Sequence, residues 1–249
     1  MNEPSDFYTG LVAELYEPLA GGITDSARFI RFVRDHGEPA LEICCGTGLP
    51  LLDLLEAGLD VEGLDSSKDM LKLCAVAARD RGVVVNLHHS MMQQFQLERK
   101  FRSVYVANGS ITLLTNDDDL CKTLESIVRC LAPGGTVMFD LDIPDVDMLR
   151  KYIGHFKEKQ DAGITFRVGI TSIVSGEDGR NVIMNLRYEH VGLDGSVEAI
   201  DRPWSRRIWS LEQFSLLLDE SGLAVVGVQQ LAGDVIQICA NIGHGVLRE

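Results

Sequence analysis

The amino-acid sequence predicts a doubly wound α/β fold, a mostly parallel sheet with helices on both faces. Strand-like apolar runs alternate with helical patterns between residues 39 and 141, which is typical of such sheets. The first run stops at the turn Gly46-Thr47-Gly48, and the second ends in Asp65, 23 residues after Glu42. In doubly wound folds a glycine turn after one strand and an acid at the tip of the next bind a nucleoside. The sequence therefore predicts a nucleoside-binding domain.

Composition narrows the class of protein and its partners. With 249 residues, 45% hydrophobic and 24% charged, the chain is expected to be one globular domain. Its net charge of −14 repels phosphate backbones, so nucleic acid is not an expected partner. We expect no membrane partner, because no apolar run approaches the ~20 residues of a membrane span. Residues 1–6 are polar and have no signal-peptide pattern.

The six cysteines are scattered and form no CxxC motif, so reduced thiols and a cytoplasmic location are expected. His88-His89 is the only histidine pair in the sequence, but neighbours on a strand point to opposite faces. No other ligand type lies near them at a metal-binding spacing. We therefore expect no metal site.

The N-terminal residues 5–36 carry two helical patterns. Gly21-Gly22 separates them, and Thr24-Asp25-Ser26 is typical of a helix start. Such helices pack on the sheet or cover its site. Tyr8 and Tyr16 are expected to pack half-buried, and for Tyr16 a covering role is equally open.

Five strands are predicted in the core, at residues 39–44, 59–64, 83–87, 103–107 and 136–141. Helix starts at Ser66-Ser67 and Thr115-Asn116-Asp117 lie between them, and Pro133-Gly134-Gly135 predicts a sharp turn before the fifth strand. Right-handed crossovers bring the carboxyl ends of parallel strands to one edge of the sheet. The functional site is expected at that edge.

Beyond residue 155 the pattern becomes antiparallel. Runs at 164–174, 182–190 and 197–209 alternate with a period of two and are joined by Asp-Gly turns, which predicts a meander. A helix that starts at Ser210 and two strands, 224–228 and 235–240, follow. We interpret the chain as one domain with N-terminal helices (1–37), a cofactor-binding core (38–145), a β insertion on the substrate side (160–209) and a closing part (210–249).

Three motifs resemble those of the class I S-adenosylmethionine-dependent methyltransferase superfamily. They are Glu42-Ile43-Cys44-Cys45-Gly46-Thr47-Gly48, Gly63-Leu64-Asp65-Ser66-Ser67-Lys68-Asp69-Met70-Leu71 and Leu131-Ala132-Pro133-Gly134-Gly135. The resemblance implies a seven-stranded sheet, S-adenosylmethionine as cofactor, and methyl transfer to nitrogen or oxygen of a small-molecule acceptor. Two departures stand out: family members more often have glycine at the position of Cys44, and His88 to Met92 replace a segment that often carries an adenine-binding acid.

The resemblance also implies a cofactor-binding set, with Asp65 on the ribose hydroxyls and Glu42 near the methionine amino group. Its members are Tyr16, Glu42, Cys44, Gly46, Gly48, Asp65, Ser66, Met70, Ser90, Met91, Asn108, Gly109 and Ser110. Structural alternatives remain open. Asp65 can cap a helix, Glu42 can be a buried carboxylate bonded to loop N–H groups, and ordinary turn or core positions account equally for Ser90 and Met91.

A hydroxyl acceptor benefits from a general base, whereas an amine needs only to lose its proton. The candidates near the expected site are Tyr16, Asp142, His155, Glu189 and His190. We select His190 and Tyr16 as catalytic residues, with plain packing as the alternative for His190. Another group, Trp204, Arg206, Arg207 and Trp209, is typical of a substrate grip or of a charged sheet edge that resists aggregation.

Two other functions fit parts of this pattern. A nicotinamide-dependent oxidoreductase would need glycine at position 51, where Leu51 stands. A non-catalytic S-adenosylmethionine-binding or regulatory protein of the same fold is the other alternative, because a fold does not determine a function. The sequence leaves a homodimer open and does not identify the methyl acceptor.

Overall fold

A computed structural model describes residues 7–20, 24–176 and 179–243 of the protein. The strands in these residues form two sheets. The predictions for residues 1–6, for Gly21-Gly22, for the Asp178 turn and for the end of the closing part, residues 244–249, lie outside the described residues. The strands are β1 (Ala40–Ile43), β2 (Val61–Asp65), β3 (Asn86–His89), β4 (Phe101–Val106), β5 (Leu131–Asp142), β6 (Phe156–Asp161), β7 (Ile164–Ser175), β8 (Asn181–Val191), β9 (Val197–Arg207), β10 (Leu223–Gln230) and β11 (Val235–Ile242).

The helices flank these strands. They are α1 (Leu11–Ala20), α2 (Ser26–His36), α3 (Leu51–Glu56), α4 (Lys68–Asp80), α5 (Asp117–Cys130), α6 (Val146–Arg150) and α7 (Leu211–Glu220), with a short 3₁₀ helix at Ser110–Leu113. Several helices begin at a residue whose side chain caps the first turn, as the sequence predicts. The hydroxyl of Ser67 accepts from the N–H of Met70, and Ser210 and Gln213 form a reciprocal capping box.

The larger sheet has seven strands in the order β10-β11-β5-β4-β1-β2-β3. The strands from β5 to β3 pair in parallel, and β11 pairs antiparallel with β5 and with β10. This arrangement confirms the predicted doubly wound sheet. Buried apolar side chains cover both faces, one group around Phe139 and Phe214 and the other around Phe29 and Tyr105.

The smaller sheet is an antiparallel meander in the order β6-β7-β8-β9. It confirms the predicted β insertion. Its inner face carries Val182, Met184 and Leu186, which pack with Leu15 of α1. Helix α1 therefore packs on the inner face of the smaller sheet.

Three boundaries differ from the prediction by three residues or more. The third strand begins at Asn86 instead of residue 83, because the N–H of Val83 bonds to Ala78 at the end of α4 and Val84 is 93% exposed. Strand β5 continues back through the Pro-Gly-Gly segment, since Leu131 pairs with Phe101 before a register shift. The insertion begins four residues earlier than predicted, at β6, whose sequence FKEKQD has no apolar alternation.

Candidate active site

A cavity of about 730 Å³ lies at the carboxyl edge of the larger sheet, under α1 and against the inner face of the insertion. Three chain segments after β1, β4 and β5 contribute to it, at Cys44 to Thr47, Asn108 to Ser110, and Asp142. The opposite wall comes from the insertion and is largely apolar, with Val168, Ile170, Leu186, Tyr188 and Trp204. The cavity therefore joins the glycine turn to a sheet that has no part in the core fold.

The turn after β1 is held by Asp65 at the tip of β2. The N–H of Gly46 donates to Oδ2 of Asp65 at 2.8 Å, and the N–H of Ser67 donates to Oδ1 at 2.8 Å. Burial raises the pKa of Asp65, although these N–H groups lower it in part. Cys44 and Gly46 both have a positive φ, 62° and 53°, so the chain folds back sharply here. Asp65 thus fastens the glycine turn to the sheet.

Gly48 is required by packing. A Cβ there would lie 2.7 Å from Cγ of Leu52 and 2.9 Å from Sγ of Cys74. The absent side chain lets helices α3 and α4 pack closely behind the turn.

The turn after β4 uses the same kind of anchor. Asn108 and Gly109 have positive φ values of 56° and 71°, and the N–H of Asn108 donates to Oδ2 of Asp140 at 2.9 Å. Asp140 is buried and pairs with Arg28 of α2, whose Nη1 lies 2.7 Å from Oδ1. The acid of one strand therefore holds the turn of the neighbouring strand.

Residues 7–20 cover the cavity. The hydroxyl of Ser67 donates to the carbonyl of Tyr8 at 2.5 Å, and the N–H of Gly10 donates to Asp69 at 3.0 Å. On the other side of the cavity the hydroxyl of Thr47 donates to Glu17. Burial raises the pKa of Tyr8 and of Tyr16, so both phenols are neutral at physiological pH.

Of the predicted cofactor-binding set, the structure brings some residues to the cavity wall and leaves others away from it. Those on the wall are Tyr16, Cys44, Gly46, Asn108, Gly109 and Ser110. Those not on it are Glu42, Gly48, Asp65, Ser66, Met70, Ser90 and Met91. Asp65 is turned toward the loop N–H groups beside the Tyr8 segment, and the hydroxyl of Ser90 donates to the carbonyl of Met91.

The catalytic candidates divide in the same way. Tyr16, Asp142 and His155 line the cavity. His190 does not, because it lies beyond the part of β8 that faces the cavity, 34% exposed and stacked on Phe166. Glu189 also lies elsewhere and accepts from Arg187. The selection of His190 from the sequence is therefore not supported by its position.

Arg206 and Arg207 are 7% and 5% exposed, so their interpretation as a protective sheet edge is wrong. The guanidinium of Arg206 lies 4.8 Å from the ring centre of Trp204, and that of Arg207 lies 4.3 Å from the ring centre of Trp209.

Several cavity residues had no signal in the sequence. They are Phe7, Glu17, Tyr152, Phe156 and Lys157. Each comes from a variable segment outside the three motifs, and only the aromatic content of the N-terminal helices could have suggested any of them.

His88 is engaged with Glu62, at 2.5 Å between Nε2 and Oε2. Among the described residues, no group of three or more His, Cys, Asp and Glu side chains is arranged to hold a metal ion. In the same part of the chain no helix has the length and apolarity to cross a membrane.

The residues near the glycine turn fit a cofactor that carries positive charge. Glu42 is buried, and its Oε2 accepts from the hydroxyl of Tyr105 at 3.1 Å, whereas Oε1 has no partner. Burial raises the pKa of Glu42 well above its ordinary range. An unpartnered buried carboxylate oxygen is costly unless a cation or donor reaches it. Glu17 on the cavity wall and Asp65 behind it place carboxyl groups at this end of the cavity, which suits an ammonium or sulfonium group, and Glu42 lies behind the wall as a buried carboxyl.

Comparison with known proteins agrees with this chemistry. A family model described as "Methyltransferase domain" matches residues 40–135. The chain is 27% identical over 234 residues to the dTDP-3-amino-3,6-dideoxy-alpha-D-glucopyranose N,N-dimethyltransferase of Streptomyces fradiae, covering 89% of this chain and 87% of that one. Among solved structures, the CcbJ methyltransferase from Streptomyces caelestis superposes with a TM-score of 0.78 at 18% identity, covering 97% and 99% of the two chains.

Another solved structure, S-adenosylmethionine-bound CalS10, an amino pentose methyltransferase from Micromonospora echinaspora, has a TM-score of 0.64 at 22% identity, covering 93% of this chain and 92% of that chain. The fold is Rossmann-like, with a cavity at the carboxyl edge of its larger sheet. The methyltransferase-domain match covers residues 40–135, and the fold of the chain is that of S-adenosylmethionine-dependent methyltransferases.

Proposed function

We propose that this methyltransferase methylates an amino nitrogen of a small-molecule acceptor enclosed between the glycine turn and the insertion sheet. The observation that carries this proposal is the single cavity that reaches from Gly46 to Tyr188 and Trp204. A volume of about 730 Å³ suits a small molecule together with part of a cofactor. The Streptomyces fradiae relative, whose name assigns it an amino-sugar substrate, supports an amine over a hydroxyl.

The site residues have defined tasks in this proposal. When bound, S-adenosylmethionine supplies an electrophilic methyl group on a positively charged sulfur. Gly46 and Cys44 leave backbone open to it, Asp65 accepts from ribose hydroxyls, and Glu42 receives the amino group. Residues 7–20 exclude water, which keeps the reacting atoms close and aligned.

Tyr16 lies on the cavity wall, as does Glu17, and burial together with the nearby Glu17 raises the pKa of its phenol. Its neutral hydroxyl can accept from or donate to an acceptor amine without carrying a charge of its own. We propose that it orients the nitrogen lone pair.

The acceptor class follows from the same relative. We propose an amino sugar, free or linked to a nucleotide, with Lys157 and His155 at the cavity wall as the cationic and polar contacts for its remainder. The six cysteines are free thiols, which supports a cytoplasmic location.

The test has two stages. Calorimetric titration with S-adenosylmethionine, S-adenosylhomocysteine and NAD in parallel should give micromolar binding of the first two and none of NAD. Methyl transfer from labelled S-adenosylmethionine is then measured on matched amines and alcohols. Turnover of alcohols alone would contradict the amine assignment, and cofactor binding without any turnover would favour a non-catalytic protein of this fold.

A further inference from the structure

An ion pair between the insertion and the core lies at the floor of the cavity. Nη2 of Arg206, at the end of β9, lies 2.7 Å from Oδ2 of Asp142, at the end of β5. The same guanidinium donates from Nε and Nη2 to the hydroxyl of Thr112, at 2.9 and 2.8 Å. Thr112 in turn donates to the carbonyl of Gly109 at 2.7 Å. The pair is thereby tied to the turn that follows β4.

The two partners are not equally buried. The side chain of Arg206 is 8% exposed, whereas that of Asp142 is 27% exposed and lines the cavity. Within the part of the chain that the structure describes, Oδ1 of Asp142 receives no hydrogen bond. The other carboxylate on the wall, Glu17, lies beside the glycine turn, where it accepts from the hydroxyl of Thr47. Asp142 is therefore the wall carboxylate with an open oxygen on the insertion side of the cavity.

Gly109 leaves room for this arrangement. A Cβ at position 109 would lie 2.8 Å from Cβ of Asp142 and 3.1 Å from Nη2 of Arg206. With φ at 71°, the glycine also adopts a backbone conformation that other residues rarely take. The segment is thus built so that the carboxylate sits directly against the turn after β4.

We propose that Asp142 binds the acceptor's amino group and stabilises the positive charge that forms on its nitrogen, and that Arg206 positions the carboxylate. This role rests on the proposed methyl transfer to an amine. The nitrogen lone pair forms the new N–C bond, the electron pair of the methyl–sulfur bond stays on sulfur, and the nitrogen is cationic until it loses a proton to water. An anion beside the nitrogen gains attraction as that charge develops, which lowers the barrier.

A matched amine and alcohol test this assignment. The probes are dTDP-3-amino-3,6-dideoxy-α-D-glucopyranose and its 3-hydroxy counterpart, dTDP-6-deoxy-α-D-glucopyranose. Asp142→Asn should lower kcat/KM for the amine by about 10- to 100-fold, the effect of losing a hydrogen bond to a charged group. It should also weaken amine binding in the presence of S-adenosylhomocysteine, measured by calorimetry. Affinity for S-adenosylhomocysteine alone should stay within twofold, and Asp147→Asn, on the exposed start of α6, is the matched control.

A double variant separates a chemical role from a structural one. Asp142→Asn combined with Arg206→Gln removes both charges, so no unpaired charge is left buried in it. If the pair were only structural, this double variant would regain amine turnover. Under our assignment its amine turnover stays low, whereas the single variant Asp142→Glu has more amine turnover than Asp142→Asn. Thermal unfolding monitored by circular dichroism identifies any variant that does not fold.

Each outcome decides a different point. Equal kcat/KM for the amine in the original protein and in Asp142→Asn would overturn the role of Asp142 and leave the proposed function standing. Recovery in the double variant would overturn it as well. If the unaltered protein neither binds nor methylates the amino sugar, the proposed acceptor class falls and the role of Asp142 falls with it.

Discussion

Replacement of Asp65 by asparagine should affect both the stability of the fold and the binding of the cofactor. Each carboxylate oxygen accepts one backbone N–H, from Gly46 and from Ser67, both at 2.8 Å. Asparagine has one acceptor oxygen, so it can satisfy only one of these donors and turns an N–H₂ group toward the other. The lost bond to a charged group is worth about 1.5–3 kcal/mol.

The neutral asparagine side chain also avoids the cost of burying a charge, which is the cost that raises the pKa of Asp65. The net loss of stability should therefore fall near the lower end of this range, about 1.5 kcal/mol. For a chain of this size that lowers Tm by roughly 3–6 °C. Affinity for S-adenosylmethionine should fall by about 10- to 150-fold, because the variant loses the charge expected to accept from the ribose hydroxyls.

Calorimetric titration and thermal unfolding of the same samples measure the two effects. Ser210→Ala is the control, since it removes the capping box of α7, whose residues do not line the cavity, and costs about 1 kcal/mol. Unchanged cofactor affinity together with a lowered Tm would show that Asp65 only fastens the loop. An unchanged Tm would refute the assignment of the two backbone hydrogen bonds.

Three further predictions concern single residues. Burial raises the pKa of Glu42, so the folded chain holds a proton that the unfolded chain releases. The free energy of unfolding should therefore fall by up to about 1.4 kcal/mol per pH unit as pH rises from the unfolded-state pKa to the folded-state pKa. Glu42→Gln should remove this part of the pH dependence of unfolding between pH 5 and 8, and an unchanged pH dependence would contradict the prediction. Gly109→Ala should lower the free energy of unfolding, measured with denaturant, by about 1–3 kcal/mol, because the new Cβ overlaps Asp142. Gly134→Ala, with a similar φ and open space around it, should lower it less, and equal losses would refute the overlap. Tyr16→Phe should lower kcat by about 10²-fold through loss of its hydroxyl, while His190→Ala should leave it within about twofold; the reverse order in steady-state assays would restore His190 as the catalytic candidate.

The sequence was most informative where local rules act. A buried strand that ends at a glycine turn predicts β1 and its turn, and the acid at the tip of β2 predicts the position of Asp65. Period-two alternation likewise predicts β7, β8 and β9. These signals depend on neighbours in the chain, which a single sequence contains.

Contacts between distant segments could not be predicted in this way. Arg28 and Asp140 are 112 positions apart, and neither residue type indicates its partner. Strand β6 is polar and exposed, so its extended conformation depends on pairing with β7, and no hydrophobic pattern in its own sequence predicts it. His190 shares the apolar face of β8 by periodicity, but where the cavity ends along that strand depends on how the insertion docks on the core.

The two turns at the cavity floor are held by the same kind of hydrogen bond, from a backbone N–H of the turn to a carboxylate on the neighbouring strand. After β1, Gly46 has a positive φ and its N–H is accepted by Asp65 of the adjacent β2; after β4, Asn108 has a positive φ and its N–H is accepted by Asp140 of the adjacent β5. Sharp left-handed turns at strand ends leave N–H groups that the parallel ladder does not use. A carboxylate on the neighbouring strand satisfies each one and fixes the turn to the rigid sheet. Since both turns line the cavity, their separation is set by the spacing of the sheet strands, and the covering segments can vary without disturbing it.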